Sequence, residues 1–315
     1  LQEMLQDRGS PVELRRSCVQ ALGRLTPGNA PWAGGVVELL ARHEQDGSDR
    51  LTRNLTAIAL AEIGGSASGP LRHRVMEVLA RAVTKGGTHY RPWAALGLGV
   101  LGHRMMQQGA TPPLVLQEAV AARFRDPGRP LERAAYAISL GLLGAAGESG
   151  TIWKVLQRTR DPEFRGHACV ALGLLGAQQY REPLRELLRD SRRLPELQRQ
   201  IAISLGLLGD PQAVPTLLEL LAPATGRATL SVLASSANAL GFIGDRRSVD
   251  PLVEILDARG TQLQIARAFA AVALGMVADK DLRPWVVSIG EGINYSATVG
   301  TLYDPVYATG ILDIL

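Results

Sequence analysis

Apolar residues recur along the chain at three-residue steps. The pattern is built around eight small residues, each of which we number as position 0 of its segment. Position −1 is Leu in all eight segments, position −4 is Ala in six, and position +2 is Leu, Ile or Val. Steps of three residues place side chains on one face of an α-helix, so each segment is predicted to be a helix that buries one face. The residues at position 0 are Gly23, Ala61, Gly99, Gly141, Gly173, Gly206, Gly241 and Gly275.

The spacing of these segments predicts a two-helix repeat. Successive positions 0 lie 32 to 42 residues apart, and a second type of amphipathic segment, such as VPTLLELL (214–221), lies between them. We call the intervening segment the first helix of a repeat and the segment with position 0 the second helix. The predicted repeats are 1–26, 27–64, 65–102, 103–144, 145–176, 177–209, 210–244 and 245–278, together forming a solenoid over 1–278 that is followed by a capping or docking segment, 279–315.

Two stretches resemble a known repeat family. IAISLGLLGDPQAVPTLLELL (201–221) and ANALGFIGDRRSVDPLVEIL (237–256) are similar to HEAT-like repeats of the type named after phycobilisome lyases. This resemblance implies an all-α fold, a right-handed α-solenoid or armadillo-like superhelix of about eight stacked helix pairs with a C-terminal cap. It leaves the function open, because such repeats occur in scaffolds, adaptors and a few enzymes.

The stretch GLGVLG (97–102) spells the dinucleotide-binding pattern GxGxxG. That fingerprint requires a preceding strand and a helix that begins within it, whereas here a predicted helix precedes the motif and ends in it. Gly97 occupies a position that holds Ala or Ser in the other repeats. We therefore predict no cofactor, and we expect the last Gly of each motif to end its helix with a positive φ.

Composition adds little to this picture. The formal net charge is +4 and the isoelectric point about 9.3, which permits weak attraction to acidic partners. Only three of the 34 basic residues are lysines, a bias that fits either a GC-rich genome or selection for bidentate arginine contacts. Cys18 and Cys169 lie four repeats apart and are expected to be buried, reduced thiols. No uncharged run is long enough to predict a transmembrane helix. The sequence does not indicate a cellular compartment.

An arginine recurs at position −8. In several repeats an aspartate precedes this arginine across the turn between the helices, as Asp49 precedes Arg53. The resemblance to HEAT repeats implies that these residues form a structural ladder along the stack. The alternative is a basic track for phosphates. The predicted ladder comprises Arg15, Arg53, Arg91, Arg133, Arg165 and Arg267, with Asp7, Asp49, Asp126 and Asp161 as acidic neighbours.

Positions −6 and −7 vary freely between repeats and are the candidate binding surface. They are predicted to be exposed on the second helices, which line the concave face in HEAT solenoids. Trp93 and Phe269 are the candidate anchors for a partner, and Arg16 and Arg199 are candidate polar contacts. The alternative is that this variation reflects tolerance alone and that the aromatic side chains pack into the next repeat. The full set is Arg16, Asn54, Trp93, His167, Arg199, Gln200 and Phe269.

These observations favour a non-enzymatic scaffold or adaptor that binds a protein or peptide along its concave face. A nucleic-acid-binding solenoid, resembling the HEAT-like DNA glycosylases, is the alternative, and a bilin lyase-like enzyme is a third possibility. The single His-Glu pair, His43 and Glu44, lacks the HExxH spacing of a zinc site, and the HEAT-repeat hydroxylases need several such pairs. No catalytic or metal-binding residue is predicted.

Overall fold

The computed structural model describes residues 1–7, 9–46, 49–126, 128–222, 229–258 and 264–278. The predicted capping or docking segment, 279–315, lies outside these residues. The chain is an all-α solenoid, and its described part contains sixteen α-helices, which alternate between first and second helices. It divides into two compact units, of which the first is Leu1–Glu148 and the second begins at Ser149.

The first unit holds four helix pairs. Each second helix packs against its own first helix and, more extensively, against the second helices of the adjacent pairs. In chain order the helices are α1 (Gln2–Gln6), α2 (Val12–Leu25), α3 (Ala33–Asp46), α4 (Arg50–Ser66), α5 (Gly69–Lys85), α6 (Arg91–Gln107), α7 (Leu114–Arg125) and α8 (Pro130–Leu142).

The second unit repeats this arrangement with shorter first helices. The second helices again form one packed layer, and each contacts the next along the chain. The helices are α9 (Ser149–Arg158), α10 (Pro162–Leu174), α11 (Arg181–Asp190), α12 (Pro195–Leu207), α13 (Val214–Leu221), α14 (Leu230–Ile243), α15 (Val249–Asp257) and α16 (Gln264–Ala278).

Small residues let neighbouring second helices approach closely. A Cβ built on Gly206 of α12 would lie 2.8 Å from the Cα of Ala239 on α14, closer than real Cβ contacts allow. Ser204 of α12 donates its hydroxyl to the Cys169 carbonyl of α10 at 2.6 Å. Position 0 of one helix therefore meets position −2 of the next, which explains why both positions hold Gly, Ala or Ser.

The prediction that a glycine with a positive φ ends each second helix is confirmed for four of the shorter second helices. Gly144, Gly176, Gly209 and Gly244 have φ between 59° and 65° and follow the ends of α8, α10, α12 and α14. The same expectation is wrong for Gly64 and Gly102. Both lie inside 17-residue helices that continue past the motif, α4 and α6.

The interior of both units is mainly aliphatic and includes the buried aromatic side chains of Trp93, Phe124 and Phe164. Both cysteines are buried and unpaired with each other, as expected, and burial raises the pKa of the Cys169 thiol to about 12. The apolar face predicted for the second helices is buried through most of the chain. Leu25 at position +2 is an exception with 67% of its surface exposed, because it is the last residue of α2.

Candidate partner-binding site

The structure buries most of the residues predicted to bind a partner. The expectation of exposure is wrong for Asn54, Trp93, His167, Arg199 and Gln200, each of which is at most 8% exposed. Phe269 is half-buried, and Arg16 keeps 33% of its side chain exposed while pairing with Asp49. Trp93, at 2% exposure, is a core residue and not an anchor on a surface.

Contact between neighbouring second helices explains this burial. A Cβ built on Gly166, at position −7 of α10, would lie 3.0 Å from the Cβ of Gln200, at position −6 of α12. An α-helix turns about 100° per residue, so positions 0 and −2 lie on opposite flanks, roughly 160° apart. Position −7 falls close to the first flank and position −6 close to the second. Both therefore face the adjacent helices. Positions −3 and +1 lie midway between the flanks on the side of the helix opposite the buried leucine at position −1.

Positions −3 and +1 of the second unit form an exposed apolar surface. Phe242 of α14 is 54% exposed, Val272 of α16 is 49% exposed and Leu207 of α12 is 37% exposed. The other apolar residues at these positions are half-buried, and one polar residue, Asn238, lies among them. We define the apolar stripe by its seven apolar members, Val170, Leu174, Ile203, Leu207, Phe242, Val272 and Met276.

The sequence contains a signal for this stripe. In the motifs SLGLLG, ALGFIG and ALGMVA, the residue directly after position 0 is Leu, Phe or Met, although it lies outside the buried −4, −1 and +2 face. In the first two repeats the same position holds Arg24 and Glu62. An apolar residue that recurs outside the −4, −1 and +2 face is compatible with a second apolar surface. The motif alone does not decide exposure, because SLGLLG at 139–144 places Leu142 in the interior at 6% exposure.

A small groove lies at the N-terminal ends of α10 and α12. It has a volume of about 230 Å³ and is bordered by His167, Leu194, Leu197 and Gln200. The Nδ1 atom of His167 lies 2.8 Å from the Glu163 carbonyl oxygen, and burial lowers the pKa of His167 to about 4. The imidazole is therefore neutral near pH 7, which suits a packed interior position. No group of three or more His, Cys, Asp or Glu residues in the described part of the chain could hold a metal ion.

The position −8 arginines contact helix ends. The Nε atoms of Arg91, Arg133 and Arg267 donate to the carbonyl oxygens of Gly86 (2.8 Å), Phe124 (3.2 Å) and Leu256 (2.7 Å) respectively. In each case the acceptor lies at the C-terminal end of the first helix of the same repeat, where carbonyls lack an intrahelical partner. The hydrogen bonds of these three arginines therefore join the two helices within a repeat through backbone carbonyls, the structural part of the role expected for the position −8 arginines.

The predicted aspartates have other partners. Asp49 accepts two hydrogen bonds at 3.1 Å from Arg16 and one at 2.8 Å from the Thr52 amide, and Arg16 holds the pKa of Asp49 well below its usual range. Asp161 accepts from the Phe164 amide at 2.7 Å. Both carboxylates cap the first turn of a second helix, since their acceptor oxygens bind its unpaired amides.

Other arginines also donate to backbone carbonyls of neighbouring segments. Because these guanidinium groups already bind carbonyl oxygens, they do not form a row of cations directed at solvent, as a track for phosphates would require. They include Arg72, Arg104, Arg123 and Arg181, which donate to Gly64, Glu62, Val83 and Gly209 at 3.1 to 3.2 Å.

The family model for HEAT repeats matches residues 150–234 and 195–266, which include most of the apolar stripe. The structure of the complex of CpcE and CpcF of phycocyanin lyase from Nostoc sp. PCC7120 superposes with a TM-score of 0.53 and covers 87% of this chain and 93% of that chain. This chain therefore contains HEAT-like repeats, which the family model locates within residues 150–266 of the solenoid. The identity to that lyase structure is 19%, so the likeness concerns the fold alone.

Two further structures resemble this HEAT-like repeat protein more distantly. Human deoxyhypusine hydroxylase in complex with glycerol is 19% identical over 88% of this chain and 94% of that chain, with a TM-score of 0.37. A structure of the interaction between cadherin and β-catenin is 16% identical over 89% of this chain and 60% of that chain, also with a TM-score of 0.37. None of the curated proteins compared matches the sequence. Among the described helices, none is long and apolar enough to cross a membrane.

Proposed function

We propose that this HEAT-like repeat protein is a non-enzymatic scaffold that binds an amphipathic helix of a protein partner along the apolar stripe. The observation that supports this function is the exposure of Leu207 and Phe242 at equivalent positions of two adjacent second helices. Single exposed apolar residues are normal on protein surfaces, but a contiguous apolar surface is typical of an interaction site. The proposal includes the eight repeat boundaries and the division between solenoid (1–278) and C-terminal segment (279–315) that the sequence predicts.

The repeat spacing favours a helical partner over an extended one. Packed helices lie about 8–10 Å apart, so equivalent residues of successive second helices are separated by about that distance. Residues seven apart on an α-helix are about 10.5 Å apart along its axis. A helix lying across the second helices would thus present one apolar residue to each repeat. In an extended strand, side chains on one face lie about 6.7 Å apart, which does not match this spacing.

The aromatic residue of the stripe is its proposed anchor. Phe242 exposes 54% of its surface, and burying a phenyl side chain stabilises a complex by about 1.5–3 kcal/mol. Aromatic residues dominate the binding energy of many interfaces, whereas surrounding aliphatic residues mainly exclude water. Leu207 is the neighbouring contact, since its exposed side chain occupies the same position one repeat earlier.

The test identifies the partner first and then measures its affinity. A photo-crosslinking amino acid is placed at position 242 and, as a matched control, at Val253, which is 40% exposed on the first helix α15. The segment captured only from position 242 is synthesised as a peptide and titrated against wild type, Phe242→Ser and Val253→Ser. We expect a helical peptide whose affinity falls about 10- to 100-fold in Phe242→Ser and is unchanged in Val253→Ser.

Two results would contradict the proposal. A peptide that binds Phe242→Ser as tightly as wild type would place the partner elsewhere on the protein. Capture of DNA or RNA, with affinity that falls steeply as salt is raised, would support the nucleic-acid alternative instead.

A further inference from the structure

A groove between the first helices α3 and α5 of the first unit combines small apolar residues with four cationic side chains. Its volume is about 230 Å³. Ala82 and Val78 of α5 are buried at this groove, and the cationic residues are Arg42 of α3 and Arg74, Arg81 and Lys85 of α5. These four side chains are not part of the apolar stripe or of the position −8 set.

Glu38 is the one acidic residue that lines the groove, and it is already paired. Its carboxylate accepts hydrogen bonds from Nε and Nη2 of Arg74 at 2.7 and 3.1 Å. This contact with Arg74, with a smaller effect of the charge of Arg42, lowers the pKa of Glu38, so the carboxylate stays ionised at neutral pH. The Arg74–Glu38 pair therefore contributes no net charge to the groove.

Among the described residues that line the groove, no carboxylate other than Glu38 accompanies the remaining cations. Arg81 and Lys85 take part in no ion pair with the described residues, and Arg42 makes one hydrogen bond, to the Glu38 backbone carbonyl of its own helix at 3.3 Å. Arg81 and Lys85 are four residues apart on α5, a spacing at which like charges destabilise a helix. The C-terminal end of α5 partly offsets this cost for Lys85, which lies in its last turn, and Glu77 lies four residues before Arg81.

We propose that this groove binds a small ligand with a phosphate dianion, held by Arg42, Arg81 and Lys85. Guanidinium groups form paired hydrogen bonds with phosphate oxygens, and an ammonium adds a compact positive charge. The volume is smaller than the roughly 300–1,000 Å³ of sites for drug-sized molecules, so the groove suits a phosphate group rather than a whole nucleotide. Ala82 contributes only a methyl group to the lining, and Gly86 contributes no side chain.

The proposal is tested by isothermal titration calorimetry of the full chain at about 50 mM salt, where screening is modest. Inorganic phosphate is the probe in one arm and O-phosphoserine in the other, which separates the free ion from a phosphate ester. The test variant is Arg81→Gln/Lys85→Gln. The matched control is Arg192→Gln/Arg193→Gln, which removes the same charge from two exposed residues of the second unit.

We expect the test variant to bind at least about tenfold more weakly than wild type and the control variant to bind like wild type. Glu38→Gln is expected to bind more tightly, because it removes the negative charge and releases Arg74. Equal weakening in the two double variants would show non-specific attraction and would overturn the site. Absence of binding of both probes up to about 10 mM would overturn it as well.

Discussion

Arg133 contacts Phe124 in two ways. Its Nε atom donates to the Phe124 carbonyl at 3.2 Å, and its guanidinium carbon lies 5.3 Å from the centroid of the Phe124 ring. Phe124 is fully buried near the end of α7, and Arg133 lies in the first turn of α8. The arginine therefore satisfies a carbonyl at a helix end and covers the core side chain beneath it.

Replacing this arginine should lower stability. We expect Arg133→Gln to reduce the free energy of unfolding by about 1–3 kcal/mol, because a charged hydrogen bond and a cation–π contact are both lost. The free energy of unfolding of Arg133→Lys should lie between those of wild type and Arg133→Gln, since an ammonium lacks the planar group that makes both contacts. Urea unfolding followed by circular dichroism measures the effect. Arg129→Gln, which removes a charge from a side chain that is 75% exposed, is the control and should change stability little. Equal losses in the two variants would mean that net charge, and not the contact, stabilises the fold.

The packing of the second helices could be predicted from the sequence because it depends on backbone proximity. Gly173 lies so close to α12 that an added Cβ would stand 3.0 Å from the Ser204 Cα. Only small residues fit in that space, so the close packing can be recognised in the sequence from the recurring glycine at position 0. Gly97 of GLGVLG lies in a similarly close contact, since an added Cβ would stand 2.7 Å from the Ala57 carbonyl oxygen.

The binding surface could not be predicted in the same way. Variation at positions −6 and −7 suggests exposure, yet Gly166 of α10 packs directly against the larger Gln200 of α12. A large residue on one helix is accommodated by a small one on the next, so buried positions between repeats also vary. Deciding between exposure and lateral packing requires the angle between neighbouring helices, which a single sequence does not specify. Which carbonyl each position −8 arginine binds could not be predicted either, because a backbone acceptor leaves no mark in the sequence.

The close approach of α12 and α14 gives a second prediction. Gly206→Ala should lower the free energy of unfolding by about 1–3 kcal/mol, although alanine favours helices over glycine by up to about 1 kcal/mol. The reason is steric, because the new Cβ would lie 2.8 Å from the Ala239 Cα, which is backbone and cannot rotate away. Chemical denaturation of the variant and wild type measures the difference.

Gly35→Ala is the matched control for this substitution. Gly35 lies in α3, and an added Cβ there has nothing within 4 Å. Helix propensity then acts alone, so the variant should be unchanged or more stable by up to about 1 kcal/mol. If Gly206→Ala also stabilised the protein, the interpretation of position 0 as a close-approach site would be incorrect.

Burial of His167 predicts a specific loss of stability in acid. The pKa of His167 is lowered from 6.5 to about 4 by desolvation, so between these values the unfolded chain binds a proton that the native protein does not. The stabilising contribution is complete above about pH 6.5 and is lost as the pH falls towards 4, by about 2–3 kcal/mol. His167→Gln should remove this dependence, and Gln200 shows that glutamine fits the equivalent position of the next repeat. Urea unfolding of both proteins at about pH 7 and about pH 4.5 checks it, because carboxylate titration affects the two equally. If the free energy of unfolding depended on pH identically in wild type and variant, the imidazole would become protonated in the native state. Its surroundings would then be more polar than the burial of its side chain indicates.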